Sequence, residues 1–203
     1  MTPPKVHTVG EAQAEQAISA LTLAFSTDPV IRRFYPDPRD HLAYFPEMMR
    51  IQIDQPIKRH SAYYVKGFSA AAIWFPPAGP DSDTEAEKAA RKKMEELIAG
   101  TAHKDGNDDV FAAAEKVGKA HPKEPHWYLF AIGADPHHQN EGLGSILMKH
   151  ALPKVDADGA MAYLESSSTR NVPFYERHGF EVVEVVQIGD SPTFSLMARQ
   201  PRQ

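Results

Sequence analysis

The chain has 203 residues, 42% of them hydrophobic, which is enough for one globular domain over 1–203 whose core needs no disulfide or metal staple. No cysteine occurs, which excludes a disulfide framework, a thiolate nucleophile and cysteine-based metal sites. A formal net charge of −5 offers no long-range attraction to nucleic acid or a membrane surface, and without a membrane-length apolar run or a basic-then-apolar leader the expectation is a soluble cytoplasmic protein.

From about Val9 to Phe25 the apolar residues Ala14, Ala17, Ile18, Leu21 and Phe25 fall three and four apart, which predicts an amphipathic helix. Asp28-Pro29 reads as its breaker, and Pro36-Asp37-Pro38 as a stretch that stays out of helix. A second helix is predicted from about His41 through Leu42, Phe45, Met48, Met49 and Ile53 to a stop near Pro56. Its aromatic and Met stripe reads either as plain core or as a wall of a pocket for an apolar substrate. Two β-like runs, 62–65 and 70–75, joined through Lys66-Gly67, predict a hairpin. Residues 76–83 form a loop by composition, with Asp83 or Thr84 capping a polar helix through Ile98. A further helix is predicted from about Asp108 to Lys119.

The order then becomes strand, helix, strand, helix, strand, strand. The run 126–134 is nearly all apolar, as a strand covered on both faces should be. A helix from Gly142 to about Val155 leads to a second strand, 160–165, which makes a βαβ crossover. A short helix over 171–178 is closed by Gly179, and strands follow at 180–188 and 193–198.

The chemistry concentrates in Gln139-Asn140-Glu141-Gly142-Leu143-Gly144-Ser145, between the apolar strand and the helix. Two glycines at a helix start let backbone approach a ligand and leave amide N–H groups unpaired, at the positive end of the helix dipole. The spacing is neither a Walker loop nor a dinucleotide Gly-x-Gly-x-x-Gly turn. The ten histidines show no metal-ligand spacing, so no metal is expected. The serines at 166–168 lack a Gly-x-Ser-x-Gly elbow and read as a loop before Arg170.

Gln-x-x-Gly-x-Gly, preceded by Ile132-Gly133-Ala134-Asp135-Pro136 and followed by Asn171-Val172-Pro173-Phe174-Tyr175-Glu176-Arg177-His178-Gly179-Phe180, resembles the GNAT superfamily of acetyl-CoA-dependent N-acetyltransferases. The stretch 122–129 resembles its puromycin N-acetyltransferase branch. The resemblance implies an α/β (α+β) fold, a mixed, mostly antiparallel twisted sheet with a splayed cofactor cleft, flanked by helices. It implies acetyl-CoA as co-substrate, with the amides around Ile132, Gly133 and Ala134 pairing with the pantetheine arm where the central strand carries a bulge. The amides of Gln139, Asn140, Glu141, Gly142, Leu143, Gly144 and Ser145 would hold the pyrophosphate, with Asn171 and Phe174 beside the cofactor. Relatives carry Lys or Arg where this chain has Glu141, an acid that opposes phosphate unless it faces solvent. Tyr175 would protonate the leaving thiolate, as a phenol with a pKa of about 10 can at neutral pH.

The base is left open between Glu165, His126 and water. The expected acceptor is a small molecule with a primary amine, lying against Phe34, Tyr35, Tyr44, Phe45, Met48, Met49 and Trp127. The alternative is a non-catalytic CoA-binding sensor or partner module. Exposed β-edges near the C-terminus raise the expectation of a homodimer.

Overall fold

Seven strands form one sheet: β1 (Val6–Thr8), β2 (Ala62–Val65), β3 (Ala70–Phe75), β4 (Trp127–Ala134), β5 (Ala162–Ser166), β6 (Glu181–Val186) and β7 (Phe194–Arg199). Their order in the computed structural model, which describes residues 4–77 and 85–202, is β1-β2-β3-β4-β5-β7-β6. Every neighbouring pair is antiparallel except β4 and β5. That parallel pair is joined over α6 (Leu143–Ala157), the predicted βαβ unit. The β2–β3 hairpin turns at Gly67 and Phe68, both at positive φ, with the Phe68 N–H donating to the Val65 carbonyl at 2.8 Å. Strand β1 escapes the periodicity because three residues are too few to show alternation; its register on β2, from Val6 opposite Val65, holds it in place.

Helices α1 (Ala14–Ala24), α3 (Pro38–Lys58), α4 (Glu85–Thr101) and α5 (Asp108–Ala120) cover one face of the sheet, burying Ile18, Leu21, Phe45, Met48 and Val117 against Ile73, Ala131 and Tyr163. Helix α6 and the short α7 (Val172–Glu176) cover the other, with Leu147, Met148 and Val155 against Trp74, Trp127 and Leu164. The predicted cap at Asp83 or Thr84 lies outside the described residues.

The prolines expected to break helix instead begin it. Asp28 caps α2 (Pro29–Phe34) and Asp37 caps α3, each with proline in the first turn. A third pair, Asp135-Pro136, opens the 3-10 turn Pro136–His138 in the same way. Proline needs no N–H donor at the first helical position, and the aspartate accepts from the donors behind it. Helix α3 therefore starts three residues before His41 and passes through Pro46 and Pro56 to Lys58.

Strands β4 and β5 pair only over Trp127–Leu129 and Ala162–Leu164, and then separate. Beyond that point β4 stays on β3 as far as Ala134, and β5 stays on β7 as far as Ser166. A bulge lies at the parting: Ile73 pairs with Ala131 and Trp74 with Leu129, which leaves Phe130 as the extra residue. Before the bulge, the Trp127 N–H donates toward β5, to the Met161 carbonyl; after it, the Asp135 N–H donates toward β3, to Ser69. Since ladder donors alternate along a strand, the extra residue turns the N–H groups of Ile132 and Ala134 into the gap that β5 has left.

Candidate active site

The gap opens into a cleft of about 930 Å³. One wall is the end of β4, at Ile132, Gly133 and Ala134; the opposite wall is the β5–α7 segment, from Ser167 to Asn171, with Phe174 and Tyr175. The start of α6 closes one end, and residues 24–29 with Pro192 and Thr193 close the other.

At the α6 end, Asn140 and Gly142 adopt positive φ, 66° and 79°, which brings backbone rather than side chain to the helix start. Gly142 is the N-cap and supplies no side-chain acceptor, so the first-turn donors of α6 are left for a ligand. Gly144 lets α7 pack close, since a Cβ there would stand 3.1 Å from the Phe174 ring. Ser145 exchanges a 3.0 Å hydrogen bond with His178, whose imidazole burial holds below its ordinary pKa. Glu141 is exposed, faces His138 at 3.2 Å and does not line the cleft. Only its backbone belongs to the turn. Arg170 and Arg177, exposed cations at the cleft wall, supply the positive charge that position 141 lacks.

Tyr175 is 8% exposed and lines the cleft. Burial, with the negative charge of Asp28, raises its phenol well above the ordinary value of 10.0, so it keeps its proton at neutral pH. Asp28 lines the same cleft at the α1–α2 junction. Its Oδ1 accepts from the backbone N–H groups of Val30 and Ile31, both at 3.0 Å, and its Oδ2 accepts from the Ser167 hydroxyl. Burial nevertheless raises this carboxyl above its ordinary value.

The structure does not bring Glu165 to the cleft. Its Oε1 lies 2.9 Å from His121 Nδ1, and its Oε2 accepts from the Tyr128 hydroxyl at 3.0 Å, so both carboxylate oxygens are engaged away from Tyr175. His121 Nε2 lies 3.1 Å from His126 Nε2, and His126 Nδ1 donates to the Glu124 carbonyl. His121, His126 and Tyr128 line a separate cavity of about 780 Å³ between α3, α4 and the 121–126 segment. The predicted acceptor wall is likewise displaced. Phe34, Tyr35 and Phe45 are core, as are Met48 and Met49, because the stripe of α3 packs on α1 and the sheet. Tyr44 is half-buried against Tyr35 and absent from the cleft. Trp127 is buried on the opposite face, under α6, with its indole N–H donating to Asp158 at 3.1 Å. Among the described residues, no three His, Asp or Glu side chains are grouped to hold a metal, and no helix is long and apolar enough to cross a membrane.

The profile of the acetyltransferase (GNAT) family matches residues 68–180, from the β2–β3 turn to the residue before β6. The chain belongs to the GNAT family. Its fold, a mixed sheet parted between two parallel strands and flanked by helices, is that of GNAT enzymes, and its class is that of an N-acetyltransferase. An uncharacterized N-acetyltransferase of Bacillus subtilis (strain 168), YjcF, is 32% identical over 106 residues, covering 50% of this chain and 71% of that protein. The crystal structure of the histone acetyltransferase HPA2 and related acetyltransferase from Corynebacterium glutamicum superposes with a TM-score of 0.69 at 22% identity, over 98% of this chain and 97% of that one. Arylalkylamine N-acetyltransferase 2 from Aedes aegypti superposes with a TM-score of 0.65 at 12% identity, over 98% and 99%. At these identities the two structures speak for the GNAT fold alone.

Asp28, Ser167, Arg170 and Arg177 are among the residues of this GNAT cleft that sequence reasoning missed. Asp28 was concealed by the proline beside it, which reads as a helix breaker. Ser167 carried no signal, because its partner is 139 residues away.

Proposed function

We propose that this GNAT domain transfers the acetyl group of acetyl-CoA to the primary amine of a small molecule, by direct attack within a ternary complex. The observation that carries the reading is the cleft's arrangement of backbone donors: the uncapped start of α6 at one end, and the N–H groups of Ile132 and Ala134 turned out of the ladder beside it. The first set fits a pyrophosphate and the second an amide-bearing arm laid along β4 as a substitute strand. Arg170 and Arg177 add charge suited to phosphate, and Asn171 supplies a side-chain amide at the same wall.

The amine nitrogen forms a bond to the thioester carbon, and the oxyanion that results accepts from a β4 amide. When the C–S bond breaks, the Tyr175 phenol gives its proton to the thiolate. A thiolate is a weaker base than a phenolate, so burial of Tyr175 makes full proton transfer uphill, and the phenol O–H acts first as a hydrogen-bond donor to the charge developing on sulfur. The acceptor lies at the end of the cleft formed by Phe25, Thr27, Asp28 and Thr193.

Thermal-shift titration with acetyl-CoA, free CoA and ATP tests the cofactor. Stabilisation by both CoA species and not by ATP is the expected outcome. No shift at millimolar concentration removes the reading. Release of free thiol in the presence of an amine then tests transfer, with a panel that includes puromycin, for the resemblance over 122–129, and an arylalkylamine, for the Aedes aegypti neighbour.

A further inference from the structure

The cavity between α3, α4 and the 121–126 segment has two histidines in its wall, held together by a bend rather than by a shared helix or strand. His121 leaves α5 with ψ at 130°, the extended backbone that a following proline requires. Pro122 and Pro125 then turn the chain so that His126 comes back to it. Four residues separate the pair, inside the range of about three to five found between paired zinc-binding histidines.

Each ring is fixed through Nδ1. That of His121 donates to Glu165 Oε1 at 2.9 Å, and that of His126 donates to the Glu124 carbonyl at 2.8 Å. The other carboxylate oxygen of Glu165 is held by the Tyr128 hydroxyl at 3.0 Å. An acceptor at each Nδ1 places the proton there and leaves a lone pair on each Nε2. Those two Nε2 atoms face each other at 3.1 Å. Lone pairs so close repel, so a positive charge belongs between them, either a proton or a metal ion. The ring centroids are 4.9 Å apart, nearer than two rings set head-on at that nitrogen spacing would be, so the nitrogens are off the straight line that a shared proton prefers. An ion about 2.0–2.1 Å from each nitrogen, in tetrahedral or square geometry, spaces them about 2.9–3.4 Å apart.

We propose that His121 and His126 bind one divalent ion of the imidazole-preferring kind, Zn²⁺, Ni²⁺ or Cu²⁺, through their Nε2 atoms. A carboxylate behind one ring and a backbone carbonyl behind the other are the partners that metal-bound histidines have. Among the described residues no third His, Asp or Glu side chain completes the set, so the remaining positions face the cavity and take water. Tyr163 points the same way. Its hydroxyl is buried without a partner among the described residues, and its ring packs edge-on to His121 and His126 at 5.0 and 5.7 Å. Water carried by the ion is the partner it lacks. The ion ties the 121–126 segment to Glu165 on β5, and since none of these residues lines the acetyl-transfer cleft, the site does not depend on that reading.

The test uses the full chain without a polyhistidine tag, stripped with EDTA and titrated calorimetrically with Zn²⁺ and Ni²⁺, with Mg²⁺ as the oxygen-preferring control. One equivalent of Zn²⁺ or Ni²⁺ should bind and Mg²⁺ should not, and the loaded protein should melt at a higher temperature until EDTA is added. His121→Ala and His126→Ala should each abolish the binding. Glu165→Gln should weaken it by about 10- to 100-fold, through loss of the carboxylate behind His121. His138→Ala, at the surface beside Glu141, should leave it unchanged. Should a histidine variant fail to fold, pulsed EPR of Cu²⁺ on the wild type counts the imidazoles directly, and two on one ion are expected. Absence of Zn²⁺ and Ni²⁺ binding by the wild type at up to about 1 mM overturns the proposal in favour of a shared proton. Binding that survives both His121→Ala and His126→Ala, or a Cu²⁺ signal with fewer than two imidazoles, overturns it as well.

Discussion

Two acids share the cleft and burial keeps the proton on both more firmly than water would. For Tyr175 the consequence is chemical: Tyr175→Phe keeps the buried ring and removes the donor. Stopped-flow or steady-state thiol release should show kcat lower by about 100-fold with CoA affinity unchanged. A pure CoA sensor has no such rate to lose. For Asp28 the consequence is also thermodynamic. Its folded-state pKa lies above the unfolded 3.8, so the stability it contributes is full below that value and lost as pH rises through the folded value. At neutral pH the ionised form therefore costs stability, and calorimetry should find Asp28→Asn with a higher Tm than the wild type at pH 7, the gain shrinking toward pH 3. A place at the cleft was legible for Tyr175, Asn171 and most of the Gln139–Ser145 turn because their signals are contiguous in sequence. It was illegible at Asp28 and misassigned at Glu165, because which carboxylate faces a cleft depends on contacts made 44 residues apart, as between His121 and Glu165.

Elements, in contrast, were written locally. Hairpin β2–β3, the β4–α6–β5 crossover and α5 follow from periodicity within a few residues. What periodicity hides is a helix that begins at Asp-Pro, and a strand such as β1 that exists only because β2 pairs with it. The bulge is hidden too, since nothing in Leu129-Phe130-Ala131 marks the extra residue. Two glycines offer tests at this scale. Gly142→Ala forces a side chain into φ 79° at the helix start, and chemical denaturation should show a loss of about 1 kcal/mol. Gly133→Ala puts a Cβ into the Ala24 side chain of α1. Overpacking of this kind costs about 1–3 kcal/mol, read as a lower midpoint with unchanged m.

At the scale of the whole molecule, one buried cation ties the last strand to the rest. Arg199, 4% exposed, places its guanidinium on Asp156 of α6 at 2.6 and 2.9 Å and donates through Nε to the His178 carbonyl behind α7. Arg199→Met removes the partner of an acid and a carbonyl together, and should destabilise by about 3 kcal/mol in urea unfolding. The Arg199 hydrogen bonds hold the Asp156 carboxyl below its ordinary 3.8. Its stabilising contribution is therefore present above 3.8 and lost as pH falls through the lower, folded value. Acid unfolding of the wild type should begin below pH 4 on this account, and Arg199→Met should show a flatter acid limb.

The close seat of α1 on Gly133 has a further consequence. Residue 24, which occupies that seat, is four residues from Asp28, at the end of the cleft proposed to hold the acceptor, and residue 133 lies between the two amides proposed to hold the acyl donor. Nucleophile and electrophile are thus referenced to a single backbone contact, so their separation is set at folding rather than by a lid that shuts on the reactants. Crystal structures with and without both substrates should then superpose at 24–28 and 130–134 to within about 1 Å. Turnover should respond little to solvent viscosity unless product release limits it, and lengthening the 24–28 segment by one residue should cost rate while sparing the affinity for either substrate.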